Sequence, residues 1–353
     1  MKGLIKVKRI TIFLILITIL VITIGGTIRI YDAGESCPDW PTCFGTWGFD
    51  ISESEQTEWY EQNPGEIDSR GSWHRYSTFQ IFTEWIHRFL AGIILGPLVI
   101  VNWLLAKRNF NDFKDVRFAT SVSLILIIWQ GLVGMLTVKM DNENWSVVLH
   151  LGSALAFMLS LIWTWMIISR RKGANWFSFD VRRSEKWKNK ILFMSLITLL
   201  TLFSGTLVST TPGANTGCGV SGFHQSWPLC HNKFSNPITN IIAQSQLIHR
   251  WFVALVGIIL IRSTYSLFQE SNGISNDGLL KRTIFASTAI YVINILLGGL
   301  YILSWTEKNL FIEILSLIHL ILASSSFLLI ASAYLGILIV QKNNKNEILI
   351  PED

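Results

Sequence analysis

Apolar residues run along this chain in blocks too long for the interior of a soluble domain. Eight of them cover residues 10–30, 79–105, 117–139, 146–168, 190–210, 241–268, 282–304 and 310–340. Each is close to the ~20 residues an α-helix needs to cross a bilayer. Polar segments separate them, two of them long, at 31–78 and 211–240. The pattern predicts an all-α polytopic membrane protein with eight transmembrane helices.

The polar positions set an orientation. Lys2, Lys6, Lys8 and Arg9 precede the first block, and Lys107, Arg108, Lys114 and Arg117 follow the second. The 169–190 segment carries Arg170, Arg171, Lys172, Arg182, Arg183, Lys186, Lys188 and Lys190; Lys281, Arg282, Lys342 and Lys345 complete the set. The alternate loops are poor in Lys and Arg for their length. The positive-inside rule then places both termini in the cytoplasm and the 31–78 and 211–240 loops outside. The first block could also be a cleaved signal peptide, but its core is long and no small-residue cleavage site follows. No Arg/Ser-rich transit peptide is present, so a multi-pass protein of a prokaryotic cell (plasma) membrane is expected.

Composition agrees. Of 353 residues, 50% are hydrophobic and 15% charged, less charge than a soluble chain of this length carries. The net charge of +5 fits basic cytoplasmic loops and is not a nucleic-acid signal.

The chain also repeats itself. Gly25-Gly26-Thr27-Ile28 answers Ser204-Gly205-Thr206-Leu207, and Trp40-Pro41-Thr42-Cys43 answers Trp227-Pro228-Leu229-Cys230. Ile-His-Arg recurs at 86–88 and 248–250, and the Gly131–Leu136 stretch answers Leu297-Gly298-Gly299-Leu300. The reading is two four-helix bundles, residues 1–168 and 190–340, joined by a cytoplasmic linker at 169–189 and followed by a tail at 341–353. Each unit has an even number of spans, which makes the repeat parallel, about an axis along the membrane normal. The first outward loop adds an acidic, Trp-containing stretch from Asp50 to Asp68, read as a solvated loop with one surface helix. Trp85, Trp145, Trp187 and Trp305 fall near span ends, where interface anchoring accounts for them.

The four cysteines, Cys37, Cys43, Cys218 and Cys230, all fall in the two outward loops. Thiols outside the cell tend to be oxidised. Four cysteines allow three connectivities; Cys37–Cys43 with Cys218–Cys230 is the simplest. Metal binding competes, but the spacings match no standard zinc pattern.

Four histidines carry the chemistry. His87 and His150 lie in the second and fourth blocks, His249 and His319 in the sixth and eighth. An ionisable side chain inside a membrane is costly and marks a functional site. At about 1.5 Å per residue all four sit at similar depth. Two imidazoles from facing helices suit the two axial positions of a haem iron, whereas zinc needs more ligands close together. Arg88 and Arg250 follow two of the histidines and suit haem propionates, since Arg pairs with carboxylates in a planar fork. The competing role is a snorkelling arginine. Glu84 stands three residues before His87, on the same helix face, where the second half has Gln246. A carboxylate there can handle protons or stabilise developing positive charge; it can also pair with Arg88 one turn on. The asymmetry assigns the chemistry to the first unit and a permanent haem to the second.

Together, the eight spans, the Glu-x-x-His-Arg motif at 84–88, the later histidines and the Cys-Pro-Asp-Trp-Pro-Thr-Cys loop at 37–43 resemble the heme A synthase family over nearly the whole chain. The resemblance implies oxidation of the C8 methyl group of haem O to the formyl group of haem A, for cytochrome oxidase, by successive hydroxylation and loss of water. It implies that His87 and His150 flank the substrate haem O, that His249 and His319 ligate a haem b, and that Glu84 is the essential carboxylate. Cys37 with Cys43, and Cys218 with Cys230, would be disulfide or redox pairs. Candidate partners are membrane lipid, haem O synthase, cytochrome oxidase assembly factors and a second copy of the chain. Two rival functions remain at this stage: a di-haem b electron-transfer protein serving quinone, which leaves the Glu84/Gln246 asymmetry and the cysteine loops without a role, and a repeat-built transporter, for which midplane Gly/Pro breaks are expected and only Pro97 qualifies.

Overall fold

The computed structural model describes residues 2–67, 69–109, 113–174, 179–220, 222–234, 241–270, 278–305 and 310–347. Asp68, which ends the acidic stretch, and residues 348–353 of the tail lie outside the described residues. The chain is helical almost throughout: α1 (Lys2–Ile30), α2 (Glu53–Gln62), α3 (Thr78–Phe89), α4 (Gly96–Asn109), α5 (Lys114–Lys139), α6 (Asn144–Arg171), α7 (Val181–Thr210), α8 (Ile241–Glu270), α9 (Gly278–Leu303) and α10 (Leu310–Glu347). Among the described residues eight helices are long and apolar enough to cross a membrane. The chain is a multi-pass membrane protein of all-α class.

α3 and α4 form one span, joined by a π-helical turn over Leu90–Leu95. Gly96 donates its backbone N–H to Ala91 five residues back, and Pro97, next in line, has no N–H to give. The wide turn begins three residues after His87. Such turns often lie beside functional sites.

The acidic stretch contains the one surface helix expected of it. Ser52 caps α2 by accepting from the Glu55 N–H, and the Glu55 carboxylate accepts from the Ser52 N–H at 2.7 Å. The Ser52 hydroxyl also donates to that carboxylate at 2.6 Å, and this bond, with the one from the Ser52 N–H, holds the Glu55 carboxyl below its ordinary value.

Two expectations are corrected. The basic run Arg182–Lys190 belongs to α7 rather than to a loop, because Asp180 caps the helix by accepting from the Arg183 N–H. Trp187 is not an interface anchor: it is 2% exposed and donates to the Glu270 carboxylate at 3.0 Å. Lys186 pairs with the same carboxylate at 2.9 Å, and Arg183 reaches the Glu270 carbonyl. The start of α7 is thereby fastened to the end of α8.

The chain divides into two compact units, residues 1–161 and 162–353. In the first, Leu14, Ile17 and Val21 of α1 pack with Leu95, Val99, Phe157 and Leu161. Asn102 donates to Thr11 at 3.1 Å, and Ser123 and Ser160 bond at 2.9 Å. In the second, Ile191, Met194, Val256, Leu260, Ile284, Tyr291, Ile330 and Ile337 draw α7 to α10 together. Thr264 meets Thr288 at 2.8 Å, and Ser287 donates to the Ser326 carbonyl at 2.8 Å. Lipid tails are as apolar as these side chains, so such polar contacts, worth about 0.6 kcal/mol each, and close packing hold the helices together.

Candidate functional site

Each unit carries a loop closed by a disulfide, Cys37–Cys43 in the first and Cys218–Cys230 in the second. Each loop ends in a tight turn whose backbone N–H and C=O groups are mutually bonded, Cys43 with Thr46 and Cys230 with Lys233. The central residues, Phe44-Gly45 and His231-Asn232, have positive φ, as a type I′ turn requires. In both loops a Trp-Pro bond, 40–41 and 227–228, is cis.

The residues before and after the first histidine of each unit hold these loops. In the first unit the Glu84 carboxylate accepts from the Cys37 N–H at 2.9 Å and the Ser36 hydroxyl at 3.0 Å, and pairs with Arg88. Arg88 also donates to the carbonyls of Cys37, Asp39 and Thr42. In the second unit the Gln246 amide oxygen accepts from the Cys218 N–H at 2.7 Å, and its NH2 donates to the Asn215 carbonyl at 2.6 Å. Arg250 Nη1 donates to the carbonyls of Ser226 and Leu229 at 2.6 and 2.8 Å. The grip is the same in both units: Asp39 and Thr42 straddle Trp40-Pro41 as Ser226 and Leu229 straddle Trp227-Pro228. The difference is electrostatic. Glu84 neutralises Arg88, whereas Gln246 carries no charge, and Arg250 Nη2 is buried with no hydrogen-bond partner among the described residues.

The histidines are placed by glycines, which the sequence reading used only as landmarks of the repeat. A Cβ on Gly25 would stand 3.2 Å from the His87 ring, one on Gly134 3.1 Å from His150, one on Gly205 3.1 Å from His249 and one on Gly298 2.9 Å from His319. All four imidazoles therefore rest on bare backbone of a neighbouring helix. Ordinary carbon contacts begin near ~3.5 Å, so any larger residue would push the ring away.

That close approach exposes the carbonyl one turn back from the glycine. His87 Nδ1 lies 3.1 Å from the Val21 carbonyl, four residues before Gly25, and His319 Nδ1 lies 3.1 Å from the Asn294 carbonyl, four before Gly298. The Ser204 hydroxyl donates to Thr201, four before Gly205, so its oxygen is left to accept from His249 Nδ1 at 2.8 Å. Gln130, four before Gly134, reaches His150 with its side chain: Nε2 lies 3.2 Å from His150 Nδ1 and 3.3 Å from His150 Nε2, and among the described residues Oε1 is buried with no hydrogen-bond partner. A half-turn of that amide presents Oε1 to an Nδ1–H. Where Nδ1 donates to such an oxygen, as at His87, His249 and His319, Nε2 keeps its lone pair, the arrangement common in metal-bound histidine.

The rings also pair. His87 and His150 have centroids 6.5 Å apart. Two imidazole nitrogens each about 2 Å from a common metal would put the ring centroids roughly 6 Å apart, so His87 and His150 are spaced as two ligands of one haem iron would be. All four side chains are partly accessible rather than sealed in the packing. Among the described residues no three of His, Cys, Asp or Glu gather as a metal cluster, but a haem iron takes only two protein ligands, and the residues present fit that group.

Comparison with known proteins agrees with the geometry. Residues 8–331 match the family described as cytochrome oxidase assembly protein (COX15-CtaA). A protein named heme A synthase from Exiguobacterium sibiricum is 26% identical over 289 residues, 80% of this chain and 83% of that protein. The heme A synthase of Shouchella clausii is 26% identical over 262 residues, 74% of each chain, and that of Lysinibacillus sphaericus 23% identical over 336 residues, 93% of each.

Proposed function

The chain belongs to the cytochrome oxidase assembly protein family, and from that membership and the histidine geometry we propose that it is a haem A synthase. It is a membrane-embedded oxidoreductase acting on haem, and its specific reaction is oxidation of the C8 methyl group of haem O to the formyl group of haem A. The observation that carries the reading is the set of glycine-seated imidazoles, two in each unit, with the His87 and His150 rings 6.5 Å apart and Nδ1 of His87, His249 and His319 beside a carbonyl or hydroxyl oxygen.

In this reading the first unit is the reaction site. His87 and His150 would hold the substrate haem. Glu84, on the helix face of His87, would counter positive charge that develops during the oxidation. Arg88 and the Cys37 and Ser36 donors keep the carboxylate in one rotamer. The second unit holds a resident haem b between His249 and His319, which supplies one-electron chemistry when bound. Arg250, with Nη2 uncommitted, supplies a cation for a propionate; Arg88 is largely occupied by the loop. The disulfides brace the loops over both units. The two four-helix units are related as a parallel repeat, with both termini cytoplasmic, the cysteine loops outside and the chain in the cell membrane. Haem O synthase, oxidase assembly factors or another copy of the chain are the partners this role calls for.

The test is extraction and mass analysis of the haems on purified protein from cells that make haem O. Haem b together with haem O, haem A or a hydroxylated intermediate is expected, and His87→Ala should remove the second species while His249→Ala removes haem b. Haem b alone at two per chain would refute the assignment.

A further inference from the structure

Trp40 and Trp227 occupy matching places in the two disulfide loops, and their surroundings differ. Both are presented by the same frame, an arginine donating to the carbonyls that straddle the Trp-Pro pair: Arg88 to Asp39 and Thr42, Arg250 to Ser226 and Leu229. In the second unit the Trp227 ring lies directly on Gly299 of α9. A Cβ there would fall 2.7 Å from Cε2, 2.8 Å from Cζ2 and 2.9 Å from Cδ2, so only glycine admits the indole. The preceding residue, Gly298, seats the His319 ring in the same way. Two successive glycines thus place a histidine and a tryptophan on adjacent backbone positions of one helix.

The first unit has the histidine seat without the tryptophan seat. Gly134 seats His150, and the next residue is Met135. A methionine stands, by the repeat, where Trp227 has bare backbone, and Trp40 is 50% exposed.

We propose that the Trp227–Gly299 contact is a closure that retains the planar ligand of the second unit, and that Met135 keeps the equivalent place in the first unit open, so that its tetrapyrrole exchanges. The proposal rests on the assignment of a haem to each histidine pair. It gives a physical basis for one fold holding a permanent group in one half and a passing substrate in the other. A substrate that must enter and a product that must leave need an opening the size of a macrocycle edge, and a seated indole, which covers 150–250 Å² when buried, removes it.

The experiment measures loss of each haem from the purified full-length protein to excess apomyoglobin, with mass analysis identifying which species has left. In wild type the first-unit haem should leave faster than the second. Gly299→Met, which fills the seat, and Trp227→Ala, which removes the indole without adding bulk, should each speed loss of the second-unit haem by roughly tenfold and leave the first-unit rate unchanged. Met135→Gly should slow loss from the first unit. Unchanged second-unit rates in variants that still bind both haems would overturn the closure, and an unchanged first-unit rate in Met135→Gly would overturn the open-door role of Met135. Absence of haem from the wild-type protein would instead overturn the haem assignment itself, a distinguishable failure.

Discussion

Replacing Gly298 with alanine sets two effects of opposite sign against each other. Alanine is favoured over glycine inside a helix by about 1 kcal/mol, so α9 alone should become more stable. The new Cβ stands 2.9 Å from the His319 ring carbon Cε1, and relief to ordinary contact requires the ring to retreat by roughly 0.6 Å or more. The ring is also tied to the Asn294 carbonyl at 3.1 Å, a bond the same movement would break. Metal bonds tolerate about 0.2 Å, so the displacement is several times the tolerance. Loss of such supporting geometry typically costs 10–100-fold in affinity. The expected result is a chain whose apoprotein thermal midpoint is unchanged or raised, but whose second-unit haem is lost on purification while the first-unit haem stays. Gly25→Ala, starting from 3.2 Å at His87, should act on the first unit, less severely. The assay is haem per chain by extraction and mass analysis, beside a melting curve of the apoprotein. Full second-unit occupancy with an unshifted haem absorption spectrum in Gly298→Ala would refute the argument that bare backbone is what seats the ligand.

Other expectations follow from the same contacts. Glu84→Gln should keep both haems, because Gln246 shows that an amide at this place still accepts from the cysteine N–H, and should block aldehyde formation; a normal haem A yield would remove Glu84 from the mechanism. Arg88→Ala should be more damaging to folding, since it leaves Glu84 buried without its partner, a loss of about 3–5 kcal/mol, read as a fall in folded yield and thermal midpoint beside Glu84→Gln. Gln130→Leu should shift the absorption spectrum and reduction potential of the first-unit haem while the second-unit signals hold, and Gln130→Glu, which keeps an acceptor for His150 Nδ1, should restore the spectrum; equal loss in both would leave Gln130 a packing residue only. Cys218→Ser with Cys230→Ser should lower stability by about 2–4 kcal/mol through the freed loop and raise protease sensitivity around Phe223, with haem b still bound.

The asymmetry between the units has a simple electrostatic form. One unit neutralises its loop-gripping arginine with a carboxylate; the other leaves one arginine nitrogen with no hydrogen-bond partner among the described residues.

Much of this was legible along the chain. Eight apolar blocks of bilayer length announce eight spans, because no other environment accommodates so many. His87, His150, His249 and His319 stand out because an imidazole in hydrocarbon needs a reason. The cysteines of each pair are near in sequence, and their loops close locally. What the chain order could not reveal is which surfaces meet. Gly25, Gly134, Gly205 and Gly298 are visible as repeated letters, but their role as seats depends on the approach of a ring from another helix, which one-dimensional spacing does not encode. The basic run at 182–190 reads as a loop because charge suggests water, yet Asp180 caps a helix there and Trp187 is buried against Glu270. Arg88 reads as free to meet a propionate, yet three loop carbonyls and Glu84 converge on it. Trp40 and Trp227 stand in the same local motif, yet Trp40 is 50% exposed while Trp227 lies against Gly299 on another helix. Local composition and period determined the spans and singled out the four histidines; packing between helices, where a single Cβ decides whether a ring can enter, determined how those imidazoles are held.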